Sequence, residues 1–326
     1  MMYRTTIGIP TYNRAQWLSK AIDSALRQGP DVCVIVSDNA STDNTPDVVR
    51  GFSASGSRLL YIRQSSNRGG LANFQAVLAA SNTPYFMWLG DDDWLDDGYE
   101  SACVSLLEKD PSYALVGGLA RYYSNPAEAP VGEDILISLR QADPADRVCG
   151  YYALVRENGI FYGLARRELW VRIGMQGTFG FDWTMCAAAA YAGKLETLQG
   201  VHVHRIVGGA SSPAGLVKAH GLWGPGRRPE FHPLMLGGVI FRDITRLGLI
   251  GADMSGIDRI RLACRASLAF LTARYGTLGS LPSRMRTHMA LAAVAREELE
   301  IGVQLAARFD RARDVHGLAG GSQSDT

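Results

Sequence analysis

Through the N-terminal third of the chain, short apolar runs that stop abruptly at polar residues alternate with segments of helical periodicity. Thr5 to Ile9 is β-type and halts at Pro10, and Val32 to Val36 (VCVIV) is a continuous apolar run too short for a helix, as expected of a strand buried on both faces. Leu59 to Arg63 and Tyr85 to Leu89 repeat the pattern. Between them, Trp17, Leu18, Ala21, Ile22, Ala25 and Leu26 share a helical face behind a cap at Asn13. Thr45 and Pro46 open a second helix, and Leu71, Phe74, Val77 and Leu78 mark a third. Strands and helices alternating at these lengths predict a mostly parallel α/β sheet with right-handed crossovers, whose ligands sit outside the carboxyl ends of the strands. The residues after Ile9, Val36 and Leu89 are therefore expected to line one crevice.

Two of those strand ends are acidic. Asp38 follows one, and Tyr85 to Asp97 (YFMWLGDDDWLDD) runs from apolar and aromatic residues into Asp91, Asp92 and Asp93. Neighbouring carboxylates without a counter-charge raise one another's pKa and cost stability, so their gathering at a ligand crevice points to a cation. Oxygen ligands on a loop suit Mg²⁺ or Mn²⁺, which keep positions open for substrate phosphates. For Asp96 and Asp97 a cap and first-turn role in the helix near Tyr99 is the better reading. No glutamate stands where an EF-hand loop would need one, and neither a Walker A sequence nor Gly-x-Gly-x-x-Gly is present.

Beyond Ala120 the alternation weakens. Ser124 to Ala145 is rich in Pro, Asp and Ala and reads as a loop, Ile160 to Ala165 and Leu195 to Val203 as strands, and Asp182 to Ala192 as a helix. From Leu216 onward the pattern is mostly helical, notably Leu234 to Leu249, Arg259 to Tyr275 and Arg284 to Arg313, and Gly317 to Thr326 is low-complexity. A length of 326 residues accommodates a large domain with an appendage, and 33 basic against 32 acidic residues give no bulk attraction to nucleic acid. The five cysteines are scattered without Cys-x-x-Cys spacing, which fits buried thiols in a reducing compartment. With no apolar leader and no long uncharged apolar run, the expected location is cytoplasmic, with the inner membrane surface as a peripheral alternative.

Four segments, GIPTYNRAQWLSKAIDSALRQ, VIVSDNASTDNT, NRGGLANFQAVLAAS and YFMWLGDDDWL, occur in the order and approximate spacing of family 2 glycosyltransferases, which the chain resembles from Met1 to about Ser212. The resemblance implies the GT-A fold: a Rossmann-like mixed, mostly parallel sheet flanked by helices, here with a helical C-terminal extension. It implies a nucleotide-sugar-binding catalytic domain over 1–215, a helical region over 216–316 and a disordered tail over 317–326. Pro10, Tyr12, Asn13 and Arg14 then border the nucleobase and ribose, with Asp38 accepting from a uracil-type base. Asn67, Arg68 and Asn73 lie in the stretch that contacts the nucleotide. Asp92 falls on the ribose position and Asp93 on the metal position, while Asp91 with Asp93 makes the Asp-x-Asp spacing. Because Gly90 replaces the acidic residue common in the family, the metal ligand stays open among the three.

Further on, GTFGFDWTM resembles the family's Glu-Asp-Trp segment, which makes Asp182 the general base, with Phe181 in place of the glutamate; capping the following helix is the simpler alternative for Asp182. HVHRIVGGASS resembles the closing His-containing region and places His204 near the diphosphate or metal, with His202 on the same strand face. The implied activity is inverting, metal-dependent transfer of a single sugar from a nucleotide-diphosphate donor, UDP favoured and dTDP admissible, to a glycan, lipid-linked or small-molecule acceptor. The Gln-x-x-Arg-Trp motif of processive synthases is missing. A sugar nucleotidylyltransferase would need a Gly-rich basic loop that Ile7 to Arg14 lacks, and a nucleotide-sugar-binding pseudo-enzyme would bind donor without turnover. The C-terminal helices fit core packing first, then a homodimer surface or a membrane-surface helix; they, Tyr151 to Phe161 and Trp223 are expected to shape the acceptor side.

Overall fold

A computed structural model describes residues 3–176, 180–207, 232–246, 250–251 and 253–275. Residues Met1–Ala273 form one compact unit; of the second, Arg274–Thr326, only the first two residues are described. The expected helix from Arg284 to Arg313, Trp223 and the C-terminal tail lie outside the described residues.

The four apolar runs form β1 (Thr5–Thr11), β2 (Val32–Asp38), β3 (Leu59–Arg63) and β4 (Tyr85–Trp88). They pair in parallel, β1 between β2 and β4, with β3 outside β2. Every residue of β1 and β4 is buried, which explains why these strands read as unbroken apolar runs. The crossovers are helices α1 (Ala15–Leu26), α2 (Thr45–Arg50) and α3 (Gly70–Ala80). Then come β5 (Trp94–Leu95), α4 (Tyr99–Lys109), β6 (Tyr113–Tyr123), β7 (Gly132–Glu133), β8 (Ser138–Leu139), α5 (Pro144–Leu154), β9 (Leu164–Arg166), α6 (Arg167–Ile173), α7 (Phe181–Ala192) and β10 (Lys194–Ile206). The sheet order is β3-β2-β1-β4-β9-β6-β10-β5, with β7 beside β6 and β8 beside β10. Strand β9 is antiparallel to both neighbours, β10 runs parallel to β6, and β5 closes the edge antiparallel to β10. The architecture is the expected mixed, mostly parallel α/β sheet flanked by helices.

Several local expectations give way to tertiary context. Asn13 does not cap α1: it sits in the left-handed region at φ 53°, and its side-chain carbonyl accepts from the Thr42 N–H at 2.7 Å. The segment expected as a strand from Ile160 is a 3-10 turn, Gly159–Tyr162, with β9 beginning only at Leu164. There the rings decide the conformation, because Phe161 stacks on Trp88 with centroids 5.3 Å apart and planes 6° from parallel. The expected loop from Ser124 contains β7 and β8 and ends at α5, where Asp143 accepts the Ala145 N–H at 2.8 Å. Strand β6 goes unmarked in the sequence pattern since Gly117-Gly118 interrupts its apolar run.

The helices expected near Leu234 and Arg259 are present as α8 (His232–Arg246) and α9 (Gly256–Tyr275). Both are tied to α7: the Thr184 hydroxyl donates to the buried Asp243 at 2.7 Å, and Trp183 meets Phe270 edge-on at 5.6 Å.

Two devices shape the carboxyl end of the sheet. Asn73, buried at the start of α3, donates to the carbonyls of Thr11 (3.1 Å) and Ser37 (3.0 Å) and accepts from the Ser37 hydroxyl (2.7 Å), clamping β1 to β2. Strand β10 slips register against β6 between Leu198 and His202, and the looped-out backbone presses on Gly118, where an added Cβ would lie 2.4 Å from the Val201 carbonyl oxygen. The bulge sets the phase of His202 to Ile206. Gly118→Ala is expected to destabilise the fold by about 1–3 kcal/mol through backbone overpacking, read as a lower urea midpoint.

Candidate active site

The ends of β1, β2, β4 and β10 meet around the turn from Gly90 to Asp93. The Asp93 N–H closes it on the Gly90 carbonyl at 3.2 Å, and a Cβ at position 90 would lie 2.6 Å from Asp93 Oδ2. A glycine is therefore what allows the carboxylates to fold back over the turn. The three aspartates differ in their surroundings. Asp92 is paired with Arg14 from the end of β1 at 2.8 Å. Asp93, 3% exposed, accepts from the Ile206 N–H at 3.3 Å and faces the Arg205 Nε at 3.5 Å. Burial raises its pKa to about 7 despite the Arg205 charge. Asp91 is likewise pushed up to about 7, by burial and then by repulsion from Asp92, against the Arg14 charge.

Arg205 joins this turn to the rest of the site. Its guanidinium is sandwiched by Tyr162 at 4.5 Å and Tyr122 at 5.7 Å and donates to the Glu157 carbonyl at 3.1 Å. One residue along, Asn158 donates to Asp182 Oδ2 at 2.8 Å. Burial raises the Asp182 pKa, while the Asn158 amide, the Trp183 N–H and the Arg205 charge oppose the rise. Asp182 stands in the first turn of α7, whose N-terminal end favours a carboxylate. Asp93 and Asp182, far apart in sequence, thus lie in the field of one buried guanidinium.

The nucleotide-side residues divide between surface and interior. Tyr12, Asn13, Asn67 and Arg68 are exposed at the rim, and the backbone N–H of Arg68 is held by Asn39 at 2.8 Å. Pro10 is buried in β1. Asp38 is fully buried beneath the crevice: its oxygens accept from the Ser41 N–H (2.7 Å) and the Tyr61 hydroxyl (2.6 Å), with Arg63 at 3.5 Å. Asp38, expected at the base, thus supports the Ser41 turn, and Asn73, expected in the nucleotide stretch, clamps β1 to β2.

His204 also departs from expectation. Its Nε2 meets Asp96 at 2.7 Å, its Nδ1 meets the Tyr123 hydroxyl at 2.8 Å, and its ring stacks on Trp94 at 5.0 Å. Both ring nitrogens of His204, expected near the diphosphate or metal, are thus engaged by protein partners. His202 Nδ1 meets the same carboxylate at 2.7 Å, so Asp96 bridges two histidines and does not cap α4, whose cap position is Gly98. Asp97 pairs with Arg27 at 3.0 Å on the surface. Sequence reasoning passed over Arg205 and Asn158. The signal for the first was an arginine within an otherwise apolar strand end, and for the second an asparagine before glycine.

The profile described as Glycosyl transferase family 2 matches residues 6–171, just over half of the chain. The chain belongs to this family. Among relatives, abequosyltransferase RfbV of Salmonella typhimurium is 35% identical over 91 residues, covering 27% of this chain and 27% of RfbV. Glycosyltransferase GlyA of Streptococcus pneumoniae is 29% identical over 122 residues, 37% of this chain and 17% of GlyA. The matches span a third or less of the length of these curated relatives. Among solved structures, S. aureus TarS 1–349 in complex with UDP-GlcNAc superimposes with a TM-score of 0.53 at 14% identity, covering 84% of this chain and 92% of that one, which establishes the GT-A fold.

In this family 2 chain the raised carboxyls carry a sign that can be tested. A carboxyl whose folded pKa exceeds its unfolded value stabilises the fold fully below the unfolded pKa, and that contribution is lost as pH rises to about 7, the value reached by Asp91 and Asp93. Asp91→Asn is expected to flatten the fall in stability between those limits and to raise stability at pH 8 by about 1 kcal/mol, measured by urea unfolding without added metal or nucleotide.

Proposed function

We propose that the chain transfers a single sugar from a nucleotide-diphosphate donor to a hydroxyl of a glycan, lipid-linked or small-molecule acceptor, with inversion at the anomeric carbon. The observation that carries this reading is the placement of Asp182 and the acidic turn around one guanidinium, together with membership of family 2. Asp182 acts as the general base. The acceptor oxygen forms its bond to the anomeric carbon as its proton passes to the Asp182 carboxylate, and the bond to the diphosphate breaks with the electron pair leaving on the phosphate oxygen. Burial suits this role, since a base of raised pKa is matched to operation near neutrality.

The donor set favours Mn²⁺ or Mg²⁺ on Asp91 and Asp93. Their carboxyls are hard oxygen donors pushed towards the neutral form for want of positive charge. Among the described residues no three His, Cys, Asp or Glu side chains converge into a complete metal cage, which fits an ion that arrives with phosphate oxygens and water. When bound, it supplies Lewis acidity to the departing diphosphate. Arg14, paired with Asp92 at the crevice rim, and Arg68 are the cations placed to meet phosphate. Tyr12 and Asn13 border the nucleoside. UDP is the favoured nucleotide because TarS, of the same fold, is solved with UDP and with UDP-GlcNAc; dTDP shares the features such a site would read.

Thermal unfolding with UDP, dTDP and GDP, each with and without Mn²⁺, tests the donor half. UDP with Mn²⁺ together is expected to raise Tm beyond the sum of the separate effects, and Asp93→Asn to abolish that excess. Asp182→Asn is expected to keep the Tm shift while losing about 10²–10⁴-fold in donor turnover. Normal turnover in that variant would remove Asp182 as base, and absence of a joint shift with every nucleotide would remove the donor assignment.

A further inference from the structure

The segment between α5 and β9 contains a polar relay that the transfer chemistry described above leaves unused. Asn158 is a non-glycine residue in the left-handed region, at φ 57° and ψ 41°, and it is 2% exposed. Such a conformation is uncommon outside glycine, though asparagine tolerates it better than most. It is fixed from both sides. The following Gly159 N–H donates to Asp134 Oδ2 at 2.8 Å, and the same oxygen accepts from the Tyr122 hydroxyl at 3.1 Å. An added Cβ at Gly159 would lie 2.4 Å from the Ala120 Cβ, so the turn is packed directly on β6.

The consequence for the side chain is a definite polarity. The Tyr151 hydroxyl, on a fully buried ring of α5, donates to Asn158 Oδ1 at 2.7 Å. With the amide oxygen thus assigned, the nitrogen is the end that faces Asp182 Oδ2, at 2.8 Å. The buried Tyr151 hydroxyl and the Asn158 amide form a line of two donors that ends on the accepting Asp182 carboxylate. Glycine would adopt this turn with less strain, but only a polar side chain such as asparagine can link the Tyr151 hydroxyl to the Asp182 carboxylate.

We propose that Asn158 is a positioning residue for the transfer reaction, its amide, itself oriented by Tyr151, holding the Asp182 carboxylate in the orientation from which it accepts the acceptor's proton. This rests on the reading of Asp182 as general base. The other groups that face Asp182 are Arg205 from β10, which opposes the burial penalty, and the weakly acidic Tyr151, Tyr152, Tyr162 and Cys186, which burial holds in the neutral form with the Asp182 charge adding to that effect. Asn158 is the side chain that donates directly to the carboxylate. Its loss therefore acts on the ionised form of Asp182 selectively.

Asn158→Gly is the informative substitution, because glycine accepts the left-handed backbone and removes only the amide. Tyr151→Phe removes the orienting donor and keeps the ring. The first measurement needs no substrate: ¹³C-carboxyl NMR titration of aspartate-labelled protein, with the Asp182 resonance assigned by its disappearance in Asp182→Asn. Asn158→Gly is expected to raise the Asp182 pKa by about one unit, the scale of a hydrogen bond to a charged group, and Tyr151→Phe to raise it less in the same direction. The second is the pH profile of UDP release from UDP-GlcNAc with Mn²⁺, water serving as acceptor, in which the acid limb of kcat/KM should move to higher pH by the same amount.

A merely structural asparagine would lower the rate, or Tm, and leave both the titration and the acid limb in place; that result overturns the proposal. An unmoved Asp182 resonance in folded Asn158→Gly overturns it regardless of activity. If the titration shifts as expected but Asp182→Asn turns over normally, the relay stands as a pair of contacts while the general-base reading on which its function rests fails, so the two failures are told apart.

Discussion

The buried Arg205 guanidinium organises the site. A cation in this position must be compensated, and each means of compensation ties a different element to β10: Asp93 from the β4–β5 turn, the Glu157 carbonyl from the segment after α5, and the faces of Tyr162 and Tyr122. Removing the charge would leave Asp93 buried without its counter-ion. Retaining it obliges the acidic turn, the Asn158 segment and the end of β10 to keep a fixed spacing. The Asp92 pairing with Arg14 extends the same network to β1, so four separated stretches of sequence are joined through charge and not through sheet hydrogen bonds alone.

That network explains which parts were readable from the sequence. Strands β1, β2 and β4 announce themselves because nearly all their residues are buried on both faces, so composition and position coincide, whereas β3 at the sheet edge is only partly buried. The acidic turn is equally plain, since three adjacent carboxylates have few other uses. Residues such as Asp38, Asn73 and His204 are harder: their place at the crevice follows from the strand ends, but whether a polar side chain faces a ligand or its own scaffold depends on partners distant in sequence. Tyr61, Thr11 and Tyr123 are those partners for Asp38, Asn73 and His204, and none is marked by spacing. Arg205 and Asn158 were missed for the same reason, as each draws its meaning from contacts made across the fold.

The correction at Ile160 to Tyr162 shows the competition between local and global preference at one place. Ile, Phe and Tyr have high strand propensity, yet here they form a turn in which Phe161 stacks on Trp88 and meets Tyr162 edge-on, with both rings buried. Propensity measured on pleated surfaces does not anticipate a site where an aromatic pocket already exists.

The stacked pair of Trp88 and Phe161 has a mechanical consequence. Trp88 ends the strand that delivers the acidic turn, and Phe161 belongs to the segment that delivers Asn158. The two rings act as a rivet between the mounting of the acidic turn and the mounting of Asn158, both seated in the buried interior. Close packing of the two rings therefore couples a displacement of one mounting to the other. Variation in what the crevice admits is free to accumulate in the outer loops, because the distance that matters is held by carbon rings underneath.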